Sequence, residues 1–184
     1  MDRKETVNPI VVRPLTEADL AAVAQIHAHA FPRQKHSAEW VECNARALPR
    51  MRYYVAESEE GVQGFVLWTE KSGFRDNVVL ELEQIAVAPS EQRRGIGEAL
   101  IRKSLPDIAI QLAERGAALN AVLVSTRTDN QAQRLYRKAL GAEVAATIPS
   151  LYSADEVIMV ARDPLRSNHT PNPDARKSGA RRLA

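Results

Sequence analysis

Two patterns of apolar residues divide the chain into strands and helices. Alternating or continuous apolar runs rich in β-branched residues predict seven strands, at residues 10–13, 53–56, 62–68, 78–87, 121–126, 144–148 and 156–161. Apolar residues at helical spacing predict four helices, which start at Thr16, at Ser37, near Gly97 and at Asn130. The order β α α β β β α β α β β predicts a mixed sheet with helices packed on it, an α/β (α+β) fold.

Capping and breaking residues set the predicted limits of the first two helices. Thr16 and Asp19 have the spacing of a capping box at the start of the first helix. Ser37 is the predicted cap of the second helix, which we expect to carry Leu48 on its apolar face and to end at Pro49.

Length and composition fit one globular domain. The chain has 184 residues, of which 45% are hydrophobic and 26% are charged, and this is ordinary for a single core. We assign residues 1–9 to an N-terminal extension, residues 10–162 to the domain and residues 163–184 to a basic tail. The tail carries five Lys or Arg against two Asp, while the whole chain carries a net charge of +2. Few apolar residues among Pro, Asn and Ser predict that the tail is disordered.

Several classes of protein are excluded by what the sequence lacks. A single cysteine, Cys43, cannot form an internal disulfide, and we expect it to pack within the second helix. The four histidines have no standard metal-ligand spacing, so we predict no metal, and we expect His27, His29 and His36 to be surface or packing residues. No segment approaches ~18 uncharged apolar residues, and the polar start lacks a signal sequence. We therefore expect no membrane partner and a cytoplasmic location.

The segment with the clearest chemistry, residues 80–100, runs from a strand through a glycine-containing loop into a helix. The first N–H groups of a helix have no partner within the helix, and glycine lets an anion approach the backbone closely. Arg93 and Arg94 precede Gly95 and Gly97 in this loop and would add charged donors. The pattern predicts a phosphate site, although a tight turn with a solvated basic loop explains it equally. The dinucleotide fingerprint is excluded because Leu100 stands where it needs a small residue, and the P-loop motif is absent.

Two motifs in this order resemble the Gcn5-related N-acetyltransferase (GNAT) family. Gln92-x-x-Gly95-x-Gly97 follows a strand that ends in Val87 and is similar to the family's acetyl-CoA signature. The segment from Asn130 through Leu135-Tyr136 to Gly141 resembles the family's second signature, and the start from Arg13 to Asp19 resembles its first strand and helix. The resemblance implies a mixed, mostly antiparallel central sheet flanked by helices, and acetyl-CoA as the acetyl donor. It assigns cofactor contacts to Ile85, Ala86, Val87, Gln92, Arg93, Arg94, Gly95, Ile96, Gly97, Glu98 and Asn130.

The same resemblance implies catalytic roles. Glu81 stands where histone-type members carry their catalytic glutamate, and Glu83 is the reserve base because strand alternation places it on the same face until a bulge intervenes. A base is useful because an amine attacks a thioester only when unprotonated, and a lysine amine has a pKa of ~10.4. The Ile85 N–H would bind the oxyanion, the Val87 N–H the pantetheine amide, and Tyr136 would protonate the thiolate. A solvated strand face for the glutamates and a packed helix aromatic for Tyr136 remain the alternatives.

The acceptor is less well defined. Residues 28–32, Tyr152 and residues 157–159 are locally similar to bacterial ribosomal-protein N-terminal alanine acetyltransferases. Those enzymes are thought to use a glutamate on the strand where this chain has Ser125. We expect the loops at residues 32–40 and 149–155 to select the substrate.

The sequence thus predicts acetyl transfer from acetyl-CoA to a primary amine. The amine could be a protein α-amine, a lysine or a small molecule, and the enzyme a monomer or a homodimer. A non-catalytic acyl-CoA-binding regulatory module is the alternative. We expect no nucleic-acid partner, because the basic tail lacks interleaved aromatic residues.

Overall fold

The computed structural model describes residues 9–165. The predicted extension therefore lies outside the described residues except for Pro9. Of the predicted tail only residues 163–165 are described, so its predicted disorder also falls outside them.

Seven strands and four α-helices follow each other in the predicted order. The strands are β1 (Val11–Pro14), β2 (Met51–Ser58), β3 (Gly61–Glu70), β4 (Asn77–Val87), β5 (Ala118–Arg127), β6 (Glu143–Ile148) and β7 (Glu156–Ala161). The helices are α1 (Leu20–Ala30), α2 (Ser37–Ala45), α3 (Ile96–Glu114) and α4 (Gln133–Leu140). Short 3-10 turns, Glu17–Asp19 and Pro89–Glu91, precede α1 and α3.

All seven strands form one mixed sheet in the order β1-β2-β3-β4-β5-β7-β6. Every neighbouring pair is antiparallel except β4 and β5, which run parallel and are joined by α3. This arrangement confirms the predicted mixed, mostly antiparallel fold. A parallel pair needs a crossover connection, and the long helix α3 supplies it.

The middle of the sheet opens where β4 and β5 part. Their pairing ends at Glu81 and Leu123, yet β4 continues to Val87 along β3, and β5 continues to Arg127 along β7. Backbone groups on the facing edges of the two strands are consequently left without a neighbouring strand. The gap lies beside the loop that leads into α3.

A bulge at Glu83 changes which face each β4 side chain occupies. Gln84 pairs with Leu67 and Leu82 pairs with Trp68, so Glu83 is the extra residue. Val78, Leu80 and Leu82 before the bulge, and Ile85 and Val87 after it, all pack in the core under α3 and α4. Ala86 packs instead with α1 and α2, on the opposite face. Even-numbered side chains therefore switch faces at the bulge, and Gln84 joins the α1 and α2 face.

The first two helices differ partly from the prediction. The Thr16 N–H and the Thr16 hydroxyl both donate to the Asp19 carboxylate at 2.8 Å, as expected for a capping box. The prediction for Ser37 is wrong, because His36, with φ of +58°, occupies the cap position. The Ser37 hydroxyl instead contacts a side chain of α1.

Helix α2 is also shorter than predicted. It ends at Ala45 rather than at Pro49, and Leu48 is 67% exposed instead of packed. Residues 46–50 form turns that lead into β2, and the Met51 N–H at the start of that strand donates to the Ala47 carbonyl oxygen at 3.1 Å. Cys43 is exposed on α2, which corrects the expectation that it packs there.

Candidate active site

The loop between β4 and α3 is shaped by backbone that favours glycine. Gly95 has φ of +80° and forms the cap of α3, and Arg93 has φ of +64°. The first intrahelical bond of α3 runs from the Ala99 N–H to the Gly95 carbonyl oxygen. The N–H groups at the start of the helix thus remain available to an anion.

This loop forms one wall of a cleft of about 530 Å³. Helix α4 forms the other wall, and the lining residues are Val87, Glu91, Gln92, Arg93, Gly95, Ile96, Gly97, Glu98, Ala132, Arg134, Leu135 and Lys138. A cleft of this size lies within the range of sites for drug-sized ligands. Six of the predicted cofactor contacts after Val87 therefore line one cleft, and Arg94 lies in the same loop.

Charge in the cleft is only partly neutralised. Arg94 pairs with Glu91, and Glu98 pairs with Lys138 at 2.6 Å. Arg93 and Arg134 make no ion pair with any residue in 9–165. Two guanidinium groups and the start of α3 thus favour a negatively charged ligand.

The pairing of β4 with β3 determines which backbone groups face the gap. The Ala88 N–H donates to the Gln63 carbonyl oxygen at 2.8 Å, toward β3. Because antiparallel residues alternate in the edge to which they direct N–H groups, those of Ile85 and Val87 point into the gap. Ala86 directs its N–H toward β3 and its side chain toward α1 and α2.

Glu81 lies at the last paired position before the gap, in contact with two polar side chains. Its carboxylate pairs with the Lys71 ammonium at 2.6 Å, and the Ser125 hydroxyl lies 3.5 Å from its other oxygen. Only 16% of the Glu81 side chain is exposed. The contact with Lys71 was not foreseen, because it depends on how β3 and β4 pair.

Glu83, the reserve base, sits on the bulge and is exposed. Partial desolvation, together with the neighbouring Glu81 carboxylate, raises the pKa of the Glu83 carboxyl. The two glutamates therefore lie close enough to interact, but their surroundings differ. Only Glu81 has a cationic partner in hydrogen-bonding contact among the described residues.

Tyr136 lies on α4 and is 5% exposed. Burial raises the pKa of its hydroxyl to about 12, so the hydroxyl is protonated at neutral pH. The hydroxyl has no hydrogen-bond partner within residues 9–165, although Leu135 beside it lines the cleft. Tyr136 packs in the core cluster of α3 and α4, as the packing alternative predicted.

Asn130 uses its side chain locally. Its amide donates to the Thr126 hydroxyl at 2.8 Å, and its side-chain oxygen accepts from the Ala132 N–H at 2.9 Å. Helix α4 begins only at Gln133, so Asn130 shapes the turn before the helix instead of capping it directly.

The two loops expected to select the acceptor meet in the structure. The Arg33 guanidinium donates to the Ser153 hydroxyl at 2.6 Å, which joins the α1–α2 loop to the β6–β7 loop. Tyr152 beside this contact is 79% exposed. Gln84 and His27 lie under the α1–α2 loop in a buried polar network that the sequence did not reveal.

Two other expectations concern metals and membranes. No group of three His, Cys, Asp or Glu side chains in the described chain is placed to hold a metal ion. None of the helices between residues 9 and 165 has the length and apolar character that a membrane crossing requires.

Comparison of the sequence with known families identifies the class of enzyme to which this fold and cleft belong. Residues 49–139 match the family model described as an acetyltransferase (GNAT) domain. The chain belongs to the GNAT family, and it is an N-acetyltransferase with acetyl-CoA as donor. The predictions of family, enzyme class and donor are thereby confirmed. A comparison with curated protein sequences finds no match.

Solved structures share the fold at low sequence identity. Arabidopsis thaliana NAA60 in complex with a bisubstrate analogue is 20% identical, with a TM-score of 0.67 over 83% of this chain and 97% of that one. The Escherichia coli ribosomal-protein-S18-alanine N-acetyltransferase is 23% identical, with a TM-score of 0.64 over 84% and 94%. An aminoglycoside 6'-N-acetyltransferase complexed with coenzyme A is 15% identical, with a TM-score of 0.65 over 89% and 99%. These similarities establish the fold alone.

Proposed function

We propose that this enzyme transfers the acetyl group of acetyl-CoA directly to a primary amine, carried by a peptide or a small molecule, with Glu81 as the base. The observation that supports this most is the position of the Glu81 carboxylate at the mouth of the gap between β4 and β5. The unpaired N–H groups of Ile85 and Val87 lie on the same edge of β4. A proton acceptor and oxyanion donors thus share one opening.

The cleft residues fit the donor. The start of α3, with Arg93 and Arg134, would bind the pyrophosphate, and the Val87 N–H would bind the pantetheine amide. When bound, acetyl-CoA supplies the activated acetyl group. The Ile85 N–H is then available to donate to the oxygen on which negative charge develops.

Glu81 supplies a carboxylate beside Ser125, although Ser125 itself cannot accept a proton at neutral pH. The N-terminal alanine acetyltransferases that the chain resembles are thought to carry their glutamate at this β5 position. Here the neighbouring strand β4 brings a carboxylate to 3.5 Å from the Ser125 hydroxyl. The departure seen in the sequence is therefore compensated across the two strands.

Proton transfers in the proposed reaction balance without a further reactant. Glu81 accepts the proton of the attacking amine, directly or through water, and Tyr136 gives its hydroxyl proton to the departing CoA thiolate. The products are the N-acetylated amine and CoA. Burial raises the pKa of the Tyr136 hydroxyl to about 12, so the hydroxyl is protonated before the reaction but is a weaker acid than a thiol. The proton that Glu81 has accepted returns to the Tyr136 oxygen through water, and both residues regain their starting states.

The base is tested with Glu81→Gln. A panel of acceptors identifies the substrate by mass spectrometry: peptides with a free α-amine, N-terminally blocked peptides with a free lysine, spermidine and an aminoglycoside. With the fastest panel member, we expect Glu81→Gln to lower kcat/KM at pH 7 by about 100-fold and to shift the rising limb of its pH profile upward.

Glu83→Gln is the matched variant, because it removes a carboxylate from the same strand. Unlike Glu81, the Glu83 carboxylate forms no ion pair with a lysine among residues 9–165. We expect Glu83→Gln to shift the profile less. A Glu81→Gln profile that overlays the wild type would remove Glu81 from the mechanism. The cytoplasmic location and the monomer or homodimer remain predictions from the sequence.

A further inference from the structure

One buried amide side chain, Gln84, joins the helices and the loop that cover the acceptor side of the sheet. The Trp40 indole N–H donates to its oxygen at 3.1 Å. Its nitrogen lies 3.1 Å from the Gln34 side-chain oxygen and 3.1 Å from Nε2 of His27. Nδ1 of His27 in turn lies 2.9 Å from the Ser37 hydroxyl. The network therefore links β4 to α1, α2 and the loop between them.

The indole N–H of Trp40 determines how the Gln84 amide and the His27 ring are oriented in this network. An indole N–H can only donate, so the Gln84 atom that it meets is the oxygen, and the amide nitrogen faces Gln34 and His27. That nitrogen is a donor, and Nε2 of His27 must accept from it. His27 is consequently a neutral imidazole with its proton on Nδ1, where it donates to Ser37.

The surroundings of His27 agree with a neutral ring. It is fully buried, and its ring packs against Phe31 at 5.0 Å and Phe65 at 6.4 Å between centroids. Burial lowers the pKa of the imidazole. A charged ring in this place would also direct an N–H at the amide donor of Gln84.

The position of Gln84 on β4 connects this network to the proposed chemistry. It lies between Glu83, the bulge residue, and Ile85, whose N–H faces the gap. The bulge is the reason that the Gln84 side chain reaches the face of α1 and α2. A side chain that holds the α1–α2 loop is thereby anchored on the strand segment that carries the oxyanion donor.

We propose that Gln84 is a positioning residue that holds the α1–α2 loop in a fixed position relative to the β4 bulge. The acceptor amine is then bound where the Ile85 N–H and Glu81 can act on it. This inference rests on the proposed function, since it assigns the acceptor to that face. It concerns the binding of the acceptor, whereas the donor is proposed to bind on the opposite side of the bulge.

The geometry is tested without any acceptor. A long-range proton–nitrogen NMR spectrum of the wild-type enzyme is expected to show His27 with a protonated Nδ1 and an unprotonated Nε2. In Gln84→Glu, a carboxylate oxygen replaces the amide nitrogen, and we expect His27 to carry protons on both nitrogens near neutral pH. A wild-type ring protonated on Nε2 would overturn the network as described.

The functional role is tested by kinetics with the fastest amine of the acceptor panel. Gln84→Met removes the three contacts of the amide at similar volume. We expect at least a tenfold higher KM for the acceptor, with the acetyl-CoA Kd changed less than twofold. In Gln84→Glu, one carboxylate oxygen still accepts from the Trp40 indole N–H, and the other can accept from a charged His27. We therefore expect the acceptor KM of this variant to lie much closer to the wild-type value than that of Gln84→Met.

Gln63→Met is the matched control. Gln63 is a buried strand glutamine, and among residues 9–165 its side chain bonds only to Ser58 and Gly61, within the β2–β3 hairpin. Equal changes in acceptor KM for Gln63→Met and Gln84→Met would overturn the positioning role. If no panel amine is acetylated by the wild type, the proposed function fails, while the NMR result still decides whether the network exists.

Discussion

The proposed donor and acceptor sides of this enzyme are built in different ways. On the proposed donor side, the residues that line the cleft come largely from one continuous segment, and the groups that would bind an anion are mostly backbone N–H groups at the start of α3. On the acceptor side, Glu81 meets Lys71 and Ser125 from neighbouring strands, and Gln84 meets side chains from two helices and a loop.

This difference bears on how each side can change. A backbone site needs only a few residues that permit its conformation, so its sequence signature is short and local. A site of side chains from distant positions can be altered by single substitutions without disturbing the sheet. The donor is therefore common to the family, while the acceptor has to be found by experiment.

Tyr136→Phe, with an expected effect as large as that of Glu81→Gln, tests whether the chemical step can be separated from both binding sides. Loss of the hydroxyl should lower kcat by about 100-fold, the lower range for a general acid. The acetyl-CoA Kd and the acceptor KM should change little, because the phenyl ring retains the packing against α3. Steady-state kinetics together with calorimetric titration of acetyl-CoA measures both quantities.

Tyr54→Phe controls for the loss of a buried hydroxyl. Tyr54 is also buried, but its hydroxyl bonds to Asp107 and Gln111 on the far part of α3. This variant should lose stability and keep its kcat. An unchanged kcat in Tyr136→Phe would mean that water protonates the thiolate, and Tyr136 would then be a packing residue.

The next effect concerns the donor loop. Gly95 has φ of +80°, and a Cβ there would meet no atom within 4 Å, so a side chain is opposed by backbone strain and not by a clash. Such strain amounts to about 1–3 kcal/mol, and a β-branched residue is a severe case. We expect Gly95→Val to weaken acetyl-CoA binding by about 10- to 100-fold.

Gly61→Val provides the control for this variant. Gly61, with φ of +100° in the β2–β3 turn, also has open space around its missing Cβ. The substitution should lower the melting temperature without changing the acetyl-CoA Kd in a calorimetric titration. Equal affinities for the wild type and Gly95→Val would show that the loop backbone does not bind the donor.

The same division explains what the sequence could and could not predict. The order of elements and the glycine-containing loop between β4 and α3 follow from local patterns, because turns, caps and periodicity are properties of neighbouring residues. The end of α2 was missed, since the turns before β2 depend on where Met51 enters the sheet.

The acceptor side was predicted less well for a physical reason. Strand alternation places Glu81 and Glu83 on one face only if no residue is inserted, and the bulge that changes the register depends on pairing with β3. The contacts of Glu81 with Lys71 and Ser125, and those of Gln84, join residues that are 10 or more positions apart. No local pattern contains that information.

The smallest expected effect concerns Lys71, whose side-chain ammonium occupies the carboxylate that we propose as the base. The Lys71 ammonium pairs with Glu81 at 2.6 Å. An acceptor ammonium must therefore share the Glu81 carboxylate with Lys71 or displace the Lys71 ammonium from it. The Lys71 side chain is 38% exposed, and pairs with a solvent-exposed member contribute about 0–1 kcal/mol, which corresponds to at most about fivefold in affinity. We expect Lys71→Met to lower the KM for a cationic acceptor by about two- to fivefold at low salt.

Two further measurements separate this competition from a general charge effect. Lys103→Met removes an equal charge from the exposed part of α3 and should leave the acceptor KM within twofold, whereas the effect of Lys71→Met should fade as salt is added. A higher KM in Lys71→Met would instead make Lys71 part of the acceptor site, because the enzyme would then need this ammonium to hold Glu81 in place.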